Sequence, residues 1–205
     1  MSYKKLFTVA FLAVMTVCVS AQDFKKFRFG PTAGLNISTM NLELDHSSRV
    51  GFNVGAIVEY NFSDNWLVSS GLKYSQKGVK WDNIVGGKDL KANPGYLEIP
   101  LHLGYRYVFT DKFSMFAEFG PYFAFGVSGK LKADGFTSID YFDDDATRVF
   151  GGEAKKFDLG LGFAVGAEYN KIQLRLGYDF GLTKGFDVED SAKTRNFYIG
   201  VGYMF

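Results

Sequence analysis

Apolar and polar residues alternate along most of this chain. The clearest run is Tyr96–Phe109, YLEIPLHLGYRYVF. There Leu97, Ile99, Leu101, Leu103, Tyr105 and Tyr107 take every second position, with Glu98, Pro100, His102, Gly104 and Arg106 between them. A period of two over a run of this length predicts a β-strand with one apolar and one polar face. The same alternation predicts strands at about 27–38, 50–62, 66–80, 113–128, 156–169, 172–182 and 197–205. Turn-forming residues separate them at 63–65, 110–112 and 170–171, and longer polar connections fill 39–49, 81–93, 129–155 and 183–193. Eight strands whose connections alternate long and short predict an all-β fold, an eight-stranded antiparallel up-and-down barrel with its long loops at one end.

Alternation does not say which face points inward, but volume does. The apolar faces carry Phe, Tyr, Leu and Ile at most positions, too much bulk for an eight-stranded interior. The polar faces are laced with glycines such as Gly30, Gly34, Gly104, Gly120, Gly162 and Gly200, which suit a narrow one. An apolar exterior predicts a transmembrane barrel rather than a soluble lipid-binding one. Closure is required there because hydrocarbon leaves no partner for an unpaired N–H or C=O. Tyr60, Phe62, Trp66, Tyr105, Tyr107, Phe109, Phe113, Tyr169, Tyr203 and Phe205 all fall near the short-turn end. That is the placement of an interfacial aromatic girdle. The expected address is the outer membrane of a Gram-negative-type envelope, with both termini periplasmic and the long loops extracellular.

The first residues support export. Lys4 and Lys5 precede the apolar run Leu6–Val19, and Val19-Ser20-Ala21 offers small residues for a peptidase. This predicts a secretory signal peptide over 1–21 and a barrel domain over 22–205. The apolar run is too short to span a bilayer, which takes roughly 20 residues. Val17 before Cys18 argues against a lipoprotein signal, and a cut after Ala21 leaves no cysteine for a disulfide. Loss of Lys4 and Lys5 takes the net charge from +1 to −1, a balance that does not suggest nucleic acid.

Charged residues at inward positions are Arg28, Glu59, Lys73, Glu98, His102, Arg106, Glu118, Asp158, Glu168, Arg175 and Asp179. Buried in a lumen they must pair, so the expected arrangement is an ionic network that fills the barrel. A proton or ion path is the functional alternative. His102, beside Glu98 and Arg106 on the same face, reads as an interior histidine satisfied within this network. With only His46 and His102 in the chain, no nucleophile-and-base constellation is visible, and no enzyme or cofactor is expected. Asp140 and Asp143-Asp144-Asp145 offer oxygens to Ca²⁺ but lack the spacing and glycine of a calcium loop, and read as a solvated run. Phe136, Ile139, Tyr141, Phe142 and Phe150 in the same connection are candidate contacts for a partner, lipopolysaccharide or a neighbouring loop.

Three segments carry a family resemblance: Tyr96-Leu97-Glu98-Ile99-Pro100-Leu101, Glu118-Phe119-Gly120-Pro121-Tyr122 and Asp158-Leu159-Gly160-Leu161-Gly162. Together they resemble the PorT-like outer-membrane β-barrel family of Bacteroidetes-type bacteria. The resemblance implies an outer-membrane barrel and allows an accessory role in protein secretion. Phe205 is similar to the terminal aromatic by which the barrel-assembly machinery recognises its clients. The expected function is a non-enzymatic integral outer-membrane barrel, held in membrane lipid, whose surface loops meet the envelope or an unidentified envelope or secretion partner. The alternatives are a secretion accessory, a narrow porin and a soluble lipid-binding barrel.

Overall fold

The computed structural model describes residues 26–40, 46–85, 88–133, 139–142, 154–185 and 193–205. The predicted signal segment, Phe136, Phe150 and Asp143–Asp145 lie outside the described residues. The strands are β1 (Phe27–Met40), β2 (His46–Asn61), β3 (Trp66–Gln76), β4 (Val79–Val85), β5 (Lys88–Ala92) and β6 (Gly95–Thr110), then β7 (Phe113–Ser128), β8 (Lys130–Ala133), β9 (Ile139–Asp140), β10 (Phe157–Tyr169), β11 (Ile172–Gly181) and β12 (Thr194–Tyr203). Eight of them form a closed antiparallel ring in the order β1-β12-β11-β10-β7-β6-β3-β2, with β2 returning to β1. Closure is extensive. β1 pairs with β12 from Thr32–Gly202 to Met40–Thr194, and with β2 from Phe27–Tyr60 to Ser38–Arg49.

The predicted strands are all present, but two connections differ from the polar loops expected. β3 ends at Gln76 rather than near Lys80, and the 81–93 connection is mostly the hairpin of β4 and β5. Within 129–155, β8 pairs with β5, and β9 with β8. The cause lies in β2, whose first residues outrun the barrel: His46–Ser48 pair with Val79–Trp81. A projecting edge offers unpaired backbone groups, and each short strand satisfies the one before it. Segments such as KDLKA and KLKA bury Ala92 and Leu131, but they are too short for alternation to single them out.

Side-chain direction follows the parity read from the sequence. On β6 Tyr96, Glu98, Pro100, His102, Gly104 and Arg106 are buried, whereas Ile99, Leu101, Leu103, Tyr105 and Tyr107 are exposed. The exterior is apolar on every barrel strand, from Phe29 and Leu35 on β1 to Ile199 and Val201 on β12. This excludes the soluble barrel, whose apolar faces point inward. Around the short-turn end the rings touch one another: Phe27–Tyr60 at 4.7 Å, Trp66–Tyr105 at 5.2 Å, Phe109–Phe113 at 5.5 Å and Phe29–Phe205 at 5.5 Å between centroids.

Asn170 and Lys171, both at positive φ (47° and 73°), form the predicted two-residue turn between β10 and β11. That conformation matches the twist of the strands it joins. Pro100 and Pro121 supply no N–H, and the ladder is interrupted beside each of them. β3 and β6 pair at Ser70–Leu101 and again at Lys73–Glu98, and β6 and β7 at Pro100–Tyr122 and again at Leu103–Phe119. The Ser70 hydroxyl donates to the Pro100 carbonyl at 2.8 Å and mends part of the gap.

Candidate functional site: the barrel lumen

Because inward residues recur on all eight strands at matched heights, their side chains meet in two clusters. The first lies towards the short turns. Glu59 accepts from Arg106 Nη2 at 2.8 Å and from Gln173 Nε2 at 2.9 Å, with Arg28 Nη1 at 3.5 Å and Arg175 Nη2 at 3.4 Å. Glu168 accepts from Arg28 Nη2 at 2.5 Å and from Gln173 Nε2 at 2.9 Å. Arg175 Nη1 donates to Glu118, whose Oε2 lies 3.9 Å from His102 Nδ1. Both guanidiniums also lie over the Phe116 ring, Arg106 at 5.5 Å and Arg175 at 4.8 Å. Glu59 is fully buried, so the convergence of three arginines on it offsets a desolvation cost of several kcal/mol per ion, as an order of magnitude.

The second cluster lies towards the long loops. Glu98 holds Lys73 Nζ and Lys77 Nζ, one on each oxygen at 2.9 Å. Lys77 faces the Tyr122 ring at 4.5 Å and Lys73 the Tyr198 ring at 5.0 Å. Asp158 accepts from Tyr122 Oη at 3.1 Å and Thr183 Oγ1 at 2.7 Å, and Asp179 from Asn196 Nδ2 at 3.0 Å. Between the clusters lies a cavity of about 20 Å³ bordered by Ser69, Lys73, His102, Arg175 and Tyr198. It has room for about one water.

All eleven charged residues expected in the lumen point into it. One further cation escaped that set: Lys77, 1% exposed, occupies the next inward position after Lys73 and Ser75. Its parity marked it, but it lies just past the end of β3, where alternation stops being diagnostic. Uncharged polar residues missed as network members, Asn36, Asn53 and Gln173, knit the strands together; Asn53 Nδ2 donates to Asn36 Oδ1 at 2.7 Å. Large inward rings are accommodated across from glycine. Phe116 pairs with Gly166, where an added Cβ would lie 2.3 Å from the ring.

The long-loop mouth is narrowed by the segment after β9. Phe142 packs edge-on against Tyr96 at 6.0 Å and covers Gly126, where a Cβ would stand 2.2 Å from its ring. Tyr141 is 1% exposed and lies 5.0 Å from Phe142. Burial holds its phenol well above the ordinary range, so it stays neutral. Tyr141 is therefore an inward-packed residue and not the surface contact expected of it; Phe142 is half-buried and Ile139 partly exposed. Asp140 accepts the Phe142 N–H at 3.1 Å, an Asx turn.

One constellation requires a chemical test. Ser69 and His102 are cross-strand partners beside Glu118, the residue types of an acyl-transfer triad. The geometry does not assemble one. Glu118 is 3.9 Å from Nδ1, and Nε2 points towards Gly162, where a Cβ would lie 2.8 Å from it. A cavity for one water admits no acyl group. Among the described residues no set of His, Cys, Asp and Glu converges as metal ligands.

Comparison with known proteins agrees with the architecture. The family described as outer membrane protein beta-barrel domain matches residues 20–187. That stretch stops short of β12, which the structure nevertheless pairs with both β11 and β1. The outer membrane protein OprG of Pseudomonas aeruginosa is similar in fold, with a TM-score of 0.53, 16% identity, and coverage of 88% of this chain and 95% of OprG. Ail of Yersinia pestis, solved with the heparin analogue sucrose octasulfate, aligns at a TM-score of 0.47 and 15% identity over 88% of this chain and 99% of its own. Neisserial surface protein A aligns at 0.45 and 14% over 87% and 97%. Comparison with curated proteins gives no match. The chain, a ring of strands closed on itself, apolar outside and ionic within, belongs to that family: it is an integral outer-membrane β-barrel protein.

Proposed function

We propose that this is a non-enzymatic barrel that acts through its loops and rims, with a lumen that serves as structural filling. The observation that carries this reading is the occupancy of the interior. Two interlocked ionic clusters cross it, and the space between them is about 20 Å³. Hydrated ions need a continuous water-filled path, and a single water site does not supply one. Reconstitution in planar bilayers tests this directly. No steady conductance is expected, and reproducible unitary steps would replace this reading with a narrow pore.

The polarity of the barrel belongs to the same proposal. Short turns and an aromatic band at one end support periplasmic termini and extracellular long loops, after removal of residues 1–21. Protease added to intact cells should cut within 129–155 or 183–193, and the mature protein should begin at Gln22. Phe205 would serve as the signal to the assembly machinery, so its deletion should lower the folded fraction in membranes without altering expression. The finer kinship with PorT-like proteins rests on the three motifs around Tyr96, Glu118 and Asp158. It supports a second reading as an accessory of secretion. A deletion strain that secretes its proteins normally would remove that reading.

A further inference from the structure

Two lysines stand on touching turns at the short-turn end. The turn between β10 and β11 is bonded to the one between β6 and β7, where Asn170 N–H donates to Lys112 O at 3.0 Å. It is bonded to β12 as well, where Met204 N–H donates to Lys171 O at 2.8 Å. Lys112 and Lys171 are both exposed. Among the described residues neither ammonium is in an ion pair or a hydrogen bond, whether with Asp111, the acid of these turns, or with the terminal carboxylate. Lys171 also holds a φ of 73°, a left-handed conformation that glycine adopts freely and a side chain resists. No contact within the barrel accounts for a lysine kept in that conformation. Beside the two turns the wall is apolar: Phe113 and Tyr169 are cross-strand partners, and Met115, Tyr169 and Ile172 are exposed.

Two unpaired cations at the edge of a lipid-facing wall complement a ligand with an anionic head and acyl chains. Each ammonium is a compact charge on a flexible stem, so the pair can close on one phosphate from neighbouring turns. A soluble anion would meet the lysines and leave the wall unused. The geometry points to a binding site for an anionic phospholipid, its headgroup phosphate between Lys112 and Lys171 and its chains along Met115, Tyr169 and Ile172. Asp111, in the same turn as Lys112, opposes the headgroup charge and limits the affinity. The site rests on the orientation proposed above only for assigning that lipid to the periplasmic leaflet.

The test uses the folded full-length mature protein in detergent micelles, where orientation plays no part, so failure here and failure of the orientation in the protease experiment are separate results. Phosphatidylglycerol and phosphatidylcholine of the same chain length are titrated, and retained lipid is read by native mass spectrometry. The wild type should retain phosphatidylglycerol in preference to phosphatidylcholine. Two lysines at an anionic headgroup imply a loss on the order of 30-fold for K112Q/K171Q, whereas D111N should bind roughly five-fold tighter. K112R/K171R, which keeps both charges, should bind as the wild type does, and so should K130Q/K132Q at the opposite end. Should the double glutamine variant fail to fold, K112Q alone carries the test, with an expected loss of roughly five-fold. Equal retention of phosphatidylcholine, undiminished binding by the glutamine variants, an equal loss in K130Q/K132Q, or displacement of the lipid by millimolar inorganic phosphate would each overturn the proposal.

Discussion

Glu118 and Arg175 show how tightly the interior constrains single residues. Each is buried, and each is the other's nearest partner. Replacing Glu118 with Ala strands a guanidinium that Glu59 reaches only at 3.4 Å, so the barrel should lose about 3–5 kcal/mol. Urea unfolding in lipid vesicles, followed by tryptophan fluorescence, measures this. Adding Arg175→Met should recover part of the loss, because the stranded charge is then gone although the space left by Glu118 stays empty. An unaltered midpoint in the single variant would show that the pair is solvated. Ser70 makes a smaller case on the outer wall. Its hydroxyl is the donor to Pro100 O, and Ser70→Ala should cost about 1–3 kcal/mol by leaving that carbonyl unpaired in hydrocarbon. A vesicle midpoint within error of the wild type would mean that the carbonyl finds another donor.

At the scale of elements, the turn after β10 holds a lysine where glycine fits without strain. Lys171→Gly at φ 73° should stabilise the β10–β11 hairpin by about 1 kcal/mol, read as a higher midpoint in the same assay. A lower midpoint would mean that the lysine side chain contributes more than its backbone costs. The β4–β5–β8–β9 extension explains why two connections were not legible as strands: its strands run from seven residues down to two, too short for a period of two to stand out. The segment that follows it narrows the mouth. In a Lys77→Cys background a small maleimide should react slowly. Adding Phe142→Ala, which removes the ring over Gly126 and Tyr96, should speed labelling several-fold. Equal rates would show that Phe142 does not restrict entry.

For the molecule as a whole, the decisive property is an apolar exterior around a charged interior. Leu103, midway along β6 and 51% exposed, should face the centre of the bilayer. Leu103→Arg should destabilise the barrel by about 2–4 kcal/mol in vesicles, whereas an arginine near the interface costs far less. A negligible effect at Leu103 would contradict the membrane-spanning reading of this wall.

Alternation with period two is a local property, and it was enough to find the barrel strands, the inward parity of Glu98, His102 and Arg106, and the outward parity of their neighbours. Bulk on one face and glycine on the other then chose the exterior. Pairing is not local. Which carboxylate meets which cation depends on the stagger of strands far apart in the chain, as when Arg28 meets Glu168 and Arg106 meets Glu59. The same stagger buries Lys77 beside Glu98 and leaves His102 Nε2 without a hydrogen-bond partner among the described residues. Hence Tyr96–Phe109 has the two faces its alternation predicted, while closure of the ring alone set the partners of its charges.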